Sequence, residues 1–270
     1  MLLKQECSGC ELTMDKFSID PNTRQNGVYI LSEIQNDFES IYLKVREKEK
    51  RVYSDDELRN LPFASESNPH KKEWDIRAKS FLRFRKYLES KNQNLNILDF
   101  GCGNGWFCGQ LSKTLDHNFY GVDVNITELE QGRRVFESDN LVFIYADIFS
   151  TEFSANYFDI AIINASIQYF SNTKKLINKL ISLIKTNGEI HIIDSPIYSD
   201  QESINAKQRT QDYYFSLGFP EMTNNYFHHY WNEFSEYNFE ILYDPSSAKQ
   251  KLRKMFLIND SPFPWIRIKK

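Results

Sequence analysis

The chain has 270 residues, 41% hydrophobic and 26% charged, with a net charge of -4 at pH 7. This is ordinary globular composition, enough for one large α/β domain with an appendage or for two small domains, and its acidic balance argues against a general attraction to nucleic acid or anionic membrane. No apolar run approaches the roughly 18 residues that span a bilayer, residues 1–7 lack the apolar core of a leader peptide, and four cysteines do not make a disulfide framework, so a cytoplasmic enzyme is expected.

Residues 1–36 are poorly patterned, with Pro21-Asn22 and Asn26-Gly27 reading as turns. Cys7-Ser8-Gly9-Cys10 has the spacing of half a zinc ribbon, but the chain has no second such pair, and no bound metal is expected. Over 37–50 the apolar Phe38, Ile41, Tyr42 and Val45 recur at i, i+3, i+4 and i+7, the mark of an amphipathic helix. A loop runs through Pro62, and a second helix is predicted from Asn68-Pro69, with Trp74, Ala78, Phe81, Leu82 and Leu88 as its buried stripe. Neither helix has a core of its own, so both should pack on the larger, C-terminal part of the chain.

From residue 95 strand and helix alternate. A short buried strand over 96–100 leads into a glycine loop and a helix to about Thr114. A second strand covers 119–123, and its helix opens on Asn125-Ile126-Thr127-Glu128, spaced as a capping box. Strands three and four are predicted at 141–145 and 158–163. Leu176, Ile177, Leu180, Ile181 and Ile184 then mark a helix between Asn172 and Thr186, stopped by Asn187-Gly188, before a fifth strand at 189–194. Such alternation predicts a parallel sheet with right-handed crossovers and helices on both faces. Beyond Pro196 an aromatic-rich segment runs to about Glu236, and strand-like stretches come after it at 239–243 and at either 255–258 or 265–268. These last two, lacking a helical crossover, predict an antiparallel hairpin at one edge.

The sharpest signal is Asp99-Phe100-Gly101-Cys102-Gly103-Asn104-Gly105, lying between a buried strand and a helix. Glycines there allow positive φ and close backbone approach by a ligand. A dinucleotide fingerprint counted from Gly101 needs a glycine where Trp106 stands, and the Gly-Lys-Ser/Thr of a triphosphate-binding loop is absent.

Loop and surroundings resemble the class I, Rossmann-like S-adenosylmethionine-dependent methyltransferases, whose first motif reads D-x-G-x-G-x-G. The resemblance covers roughly residues 95–195. It implies an α/β fold, a doubly wound, mostly parallel seven-stranded sheet with one antiparallel edge strand. Residues 1–90 would be an N-terminal extension and helical cap, and 91–270 a Rossmann-like domain with a substrate-lid insertion around 196–236. The implied cofactor is S-adenosyl-L-methionine. By this resemblance Asp123, about 20 residues past the loop, takes the place of the acid that binds the ribose hydroxyls, with Val124 beside it. Asp147 would face the adenine amino group, Ile148 the ring, and Asn164 the methyl-donor site. Backbone around Gly101, Cys102, Gly103, Asn104 and Gly105 would meet the methionine end, with Asp99 stabilising the loop or accepting from the ammonium. Tyr42, Arg46, Trp74 and Arg77 of the cap complete the cofactor set, either arginine pairing with the methionine carboxylate or forming a solvated charged face.

Methyl transfer relies on orientation and proximity, and a general base is needed only where the nucleophile must lose a proton. Among the histidines, His191 reads as a packed strand residue and His117 as a solvated turn residue; His228 and His229 are the base candidates. Their aromatic surroundings are expected either to hold a planar or cationic acceptor or to form a plain hydrophobic lid. Cys102 reads as a small packing residue, not a nucleophile. The expected partner is a small-molecule or metabolite acceptor of unspecified identity, since 164–169 departs from the Asn-Pro-Pro-Tyr pattern of base methylation. The alternatives are an NAD(P)-dependent oxidoreductase on a Rossmann-like sheet, which Trp106 opposes, and a non-catalytic S-adenosylmethionine-binding protein.

Overall fold

The computed structural model describes residues 23–34, 36–256 and 260–270, so Cys7, Cys10 and the turn at Pro21 lie outside the described residues. The chain enters through a hairpin, Arg24–Gln25 (β1) and Val28–Ile30 (β2), turned at Asn26-Gly27 with φ of 48° and 85°. Such paired positive φ values match the twist of the flanking strands. Helices Asn36–Lys48 (α1), Asp55–Asn60 (α2) and Lys71–Glu89 (α3) come next. The short α2 falls where sequence alone predicted a loop. Its capping box is complete, with Ser54 and Glu57 each accepting from the other's backbone N–H. Helix α3 begins two residues later than expected because Asn68 folds its side chain onto the His70 N–H at 2.8 Å, making a turn ahead of the helix. Along α3, Trp74, Ala78, Phe81, Phe84 and Leu88 are buried, whereas Leu82, predicted inside, is exposed.

The alternating half comprises Asn96–Phe100 (β3), Trp106–Ser112 (α4), Asn118–Asp123 (β4), Ile126–Val135 (α5), Leu141–Tyr145 (β5), Phe158–Asn164 (β6), Thr173–Leu183 (α6) and Ile184–Ile193 (β7). Helix α6 ends three residues earlier than its apolar stripe predicts. Ile184 leaves the helix to pair with Phe158, and the Asn187-Gly188 turn becomes an irregularity inside β7 before Glu189 pairs with Ile160. The last part holds Ile197–Tyr198 (β8), Asp200–Leu217 (α7), His229–Tyr230 (β9), Phe239–Tyr243 (β10), Ala248–Met255 (α8) and Trp265–Lys269 (β11). Of the two candidates for the final strand, the later one forms it.

Among the described residues nine strands make one sheet in the order β1-β2-β5-β4-β3-β6-β7-β11-β10, and β8 and β9 form a separate parallel pair. The sheet is mostly parallel and flanked by helices, as expected, with two corrections. The β10–β11 hairpin lies at one edge as expected, but its antiparallel member β11 is the inner strand, between β7 and β10. At the other edge β2 joins β5 in parallel and β1 extends it, taking the count to nine. Pairs only two or three residues long leave no readable alternation in sequence.

Successive residues of each central strand point to opposite faces. Leu98, Tyr120, Val122, Val142 and Ile144 therefore join one core with Leu176, Ile177 and Leu180 of α6. Ile97, Phe119 and Phe143 join the other with Phe81, Phe84 and Leu88 of α3 and Leu111 of α4. Thus α3 is a flanking layer of the sheet as well as a cap. Among the described residues, no helix is long and apolar enough to cross a membrane.

Helix α5 reaches the glycine loop through Gly132, where an added Cβ would stand 2.6 Å from the Asn104 carbonyl oxygen and 3.1 Å from the Phe143 ring. Alanine favours helix over glycine by about 1 kcal/mol, but crowding against backbone costs about 1–3 kcal/mol. Gly132→Ala is therefore expected to lower unfolding free energy in urea titrations; a gain would contradict this packing.

Candidate active site

The site forms where the chain, having laid β3, β4 and β5 outward on one side, crosses to start β6 on the other. Such a switch leaves a crevice beyond the carboxyl ends of the strands. The β3–α4 loop lines it. Gly105 occupies the N-cap of α4 at φ 69°, a conformation costly for other residues, and a Cβ there would strike the Phe143 ring at 2.2 Å. Having no side chain, Gly105 cannot cap the helix. Asp99, at the end of β3, does so across the loop, its Oδ2 accepting the Cys108 N–H at 3.2 Å. The Asn104 side chain accepts from the Trp106 N–H at 3.4 Å. Two of the first three amides of α4 are thereby taken.

On the other flank, Asp123 at the end of β4 accepts three backbone N–H groups. Gly103 donates to Oδ2 at 2.8 Å, while Val124 and Asn125 donate to Oδ1 at 2.8 and 2.9 Å. Because the Asn125 N–H is spent on Asp123, only half of the predicted capping box forms. Asn125 caps the Glu128 N–H at 3.0 Å, and the Glu128 carboxylate turns instead toward Gly103, 3.0 Å from where a Cβ would sit. Burial pushes the Glu128 carboxyl up to about 7, Arg46 pulls it back, and the charges of Asp123 and Glu39 add to the rise. Burial also raises Asp123, against the pull of its three amides.

Tyr42, Arg46, Trp74, Arg77, Gly101, Cys102, Gly103, Asn104, Asp123, Val124, Asp147, Ile148 and Asn164 all line one cavity. Asp147 holds the Phe149 N–H at 2.9 Å, and its own N–H donates to Ser32 just after β2 at 3.0 Å. Oδ1 of Asn164 is buried without a partner among the described residues. Two expected members stand apart: Asp99 is only 1% exposed beneath the loop, and Gly105 packs on Phe143. Cys102 is buried, which raises its thiol pKa and suits a packing role.

Over the loop, the Arg46 Nε donates to the Tyr42 hydroxyl at 2.9 Å, with its guanidinium 4.9 Å from the ring centre. Arg51 grips Glu73 with two bonds, 3.1 and 2.6 Å, and Arg77 donates to the same carboxylate at 3.0 Å. Burial opposes them, but the two arginines hold the Glu73 carboxyl down to about 2. Trp74 donates to the Tyr53 hydroxyl at 2.9 Å and meets Trp106 edge-on at 5.2 Å. Sequence reading missed Glu39, Arg51, Tyr53, Trp106, Glu128 and Tyr169 as cavity residues. Of these, Glu128 had a signal in its capping position; the others are brought in by tertiary contacts.

His228 and His229 do not line this cavity, which corrects their place as base candidates. His229 is 3% exposed, its Nδ1 within 2.7 Å of the Thr173 hydroxyl and its Nε2 2.9 Å from the Ile167 carbonyl. His228 has its Nε2 on the Thr210 hydroxyl at 2.9 Å. His191 is fully buried against Trp265, as expected. His117, predicted to be solvated, is instead buried at 7% exposure.

A family model described as a methyltransferase domain matches residues 91–256. The malonyl-[acyl-carrier protein] O-methyltransferase of Acetivibrio thermocellus is 29% identical over 132 residues, 46% of this chain and 46% of that protein. The chain thus spans about half the length of the curated relatives it matches. Among solved structures, the YcgJ protein of Bacillus subtilis is 18% identical with a TM-score of 0.50, covering 71% of this chain and 97% of that one. An S-adenosylmethionine-dependent methyltransferase from Mesorhizobium loti is 14% identical, also at 0.50, covering 72% and 100%. At these identities the likeness shows a shared fold.

Burial pushes the Asp99 carboxyl up to about 7, against the pull of Cys108 and with the charge of Asp123 adding to it. The unfolded value is near 4, so folding takes up a proton between about pH 4 and 7, and stability falls as pH rises through that window. Asp99→Asn keeps an acceptor for Cys108 without the charge. Urea titrations of the free protein from pH 4 to 8 should show wild type losing up to a few kcal/mol relative to the variant, then levelling; parallel curves would contradict it.

Proposed function

The chain belongs to the methyltransferase-domain family, and from that premise we propose that it is an S-adenosylmethionine-dependent methyltransferase acting on a small-molecule acceptor. The observation that carries the proposal is the division of labour around the glycine loop. Asp99 and Asn104 occupy the leading amides of α4, where a dinucleotide would place its pyrophosphate, and Trp106 fills the adjoining space. What the cavity offers instead are carboxylates at strand ends, suited to hydroxyl and amino donors. That donor set fits a phosphate-free adenosyl ligand.

In this reading Asp123 takes a ribose hydroxyl. Three of its roughly four acceptor positions hold backbone amides, so one remains, and the nearby Glu128 supplies a second carboxylate for the diol. Asp147 and Ile148 flank the adenine, while backbone at 101–104 and Asn164, whose Oδ1 has no partner among the described residues, meet the methionine end. Tyr42, Arg46, Trp74 and Arg77 close the cavity from the cap. S-adenosylmethionine supplies, when bound, an electrophilic sulfonium methyl. The chain's part is to align an acceptor in line with it and exclude water. His228 and His229, outside the cavity with ring nitrogens engaged, have no role in this proposal.

Calorimetric titration with S-adenosylhomocysteine tests the assignment. Asp123→Ala should weaken binding by about 1–3 kcal/mol, the scale of lost charge-assisted bonds, in protein whose melting shows it folded. Unchanged affinity would remove Asp123 from the ribose site.

A further inference from the structure

A second recess lies against the first, the two sharing Tyr42, Arg46, Arg51, Arg77, Ala165 and Tyr169. Its far wall comes from the aromatic segment after Pro196. Tyr198, Tyr213, Tyr214 and Tyr226 face into it, so the predicted aromatic lid does reach the site, through tyrosines. Rings run from one recess to the other: Tyr42 meets Tyr169 at 5.8 Å, Tyr169 meets Tyr226 at 6.1 Å, and Tyr226 meets Tyr214 at 6.1 Å.

The charged groups facing this recess are Arg46, Arg51, Arg77 and Arg209 against Glu49 and Glu73. That is a surplus of two positive charges in a chain whose net charge is -4. Both carboxylates are already spent. Glu73 is held by Arg51 and Arg77, and Glu49 takes Arg46 at 3.5 Å, Arg51 at 3.4 Å and the Tyr213 hydroxyl at 2.6 Å. Arg209, exposed at the rim on α7, makes no ion pair among the described residues. Tyrosine faces can hold a cation, but the face of Tyr42 already carries the Arg46 guanidinium. Burial keeps the hydroxyls of Tyr42, Tyr214 and Tyr226 protonated, and hence able to donate. Aromatic walls, neutral donors and an Arg209 guanidinium with no ion pair among the described residues match a planar body bearing an oxyanion.

We propose that this recess is the acceptor site and selects a planar, unsaturated molecule carrying a carboxylate or phosphate, its oxyanion held by Arg209 and Arg46 and its body against the tyrosine wall of Tyr198, Tyr213 and Tyr226. This rests on the methyltransferase reading above, which assigns the adjoining cavity to the cofactor.

The test uses the full chain saturated with S-adenosylhomocysteine, whose own binding is measured first. Four probes sharing one benzene ring are then compared by ligand-observed NMR titration: 4-hydroxybenzoate, phenyl phosphate, phenol and tyramine. At least one oxyanion probe should bind about tenfold or more tightly than phenol and tyramine, and Arg209→Ala should remove about tenfold of that affinity, the scale of one charge-assisted contact. The carboxylate and phosphate arms separate the two sources of the oxyanion. S-adenosylhomocysteine affinity should stay as in wild type in Arg209→Ala. Tyramine or phenol binding as tightly as both oxyanions, neither oxyanion binding at millimolar concentration, or an unaltered Arg209→Ala variant each overturns the proposal. Failure of S-adenosylhomocysteine itself to bind strikes the cofactor reading instead, so the two failures are distinguishable.

Discussion

Two buried carboxylates hold the glycine loop from opposite sides, and the site depends on them. An ionisable group out of water is costly unless hydrogen-bonded; Asp123 meets that demand with three backbone amides, whereas Asp99 meets it in part, its Oδ1 buried without a partner among the described residues. Asp99 caps α4 through Cys108, and Asp123 gathers Gly103, Val124 and Asn125. Adjacent parallel strands β3 and β4 place the two acids at the same edge of the sheet. The loop is thus fixed in left-handed conformations with its outer face open to the crevice. One acid is consumed by the fold, and the other keeps an acceptor position facing the cavity.

Much of this was legible in the sequence. Central strands announce themselves as buried apolar runs, and the family resemblance implies a site at Gly101, Gly103, Asp123 and Asp147, which all line one cavity, while Asp99 and Gly105 stand apart from it. The helical cap implied by the family resemblance carries Tyr42, Arg46, Trp74 and Arg77, and all four line the cavity. The misses have physical causes. β1 and β2 are too short to show alternation, yet β2 brings Ser32 to Asp147. The Ser54–Glu57 capping signal for α2 was present and went unread. His228 and His229 looked available because sequence does not show that Thr210, Thr173 and the Ile167 carbonyl reach their rings.

The site has two adjoining parts. The first cavity carries Glu39, Asp123, Glu128 and Asp147, and the adjoining recess adds Arg209 of α7. Arg46, Arg51 and Arg77 line both, and Arg46 counters the burial-driven rise of the Glu128 carboxyl. The lid contributes walls to this arrangement through tyrosines, while its histidines pack behind them.

The central claim is that the loop's occupied helix terminus and the strand-end acids lining the cavity select a phosphate-free adenosyl ligand. Calorimetric titration of the full chain with S-adenosylhomocysteine and, separately, with NAD and NADP measures that selection directly. Saturable binding of S-adenosylhomocysteine with neither dinucleotide bound is the predicted result. Binding of a dinucleotide in the absence of S-adenosylhomocysteine binding would contradict the account.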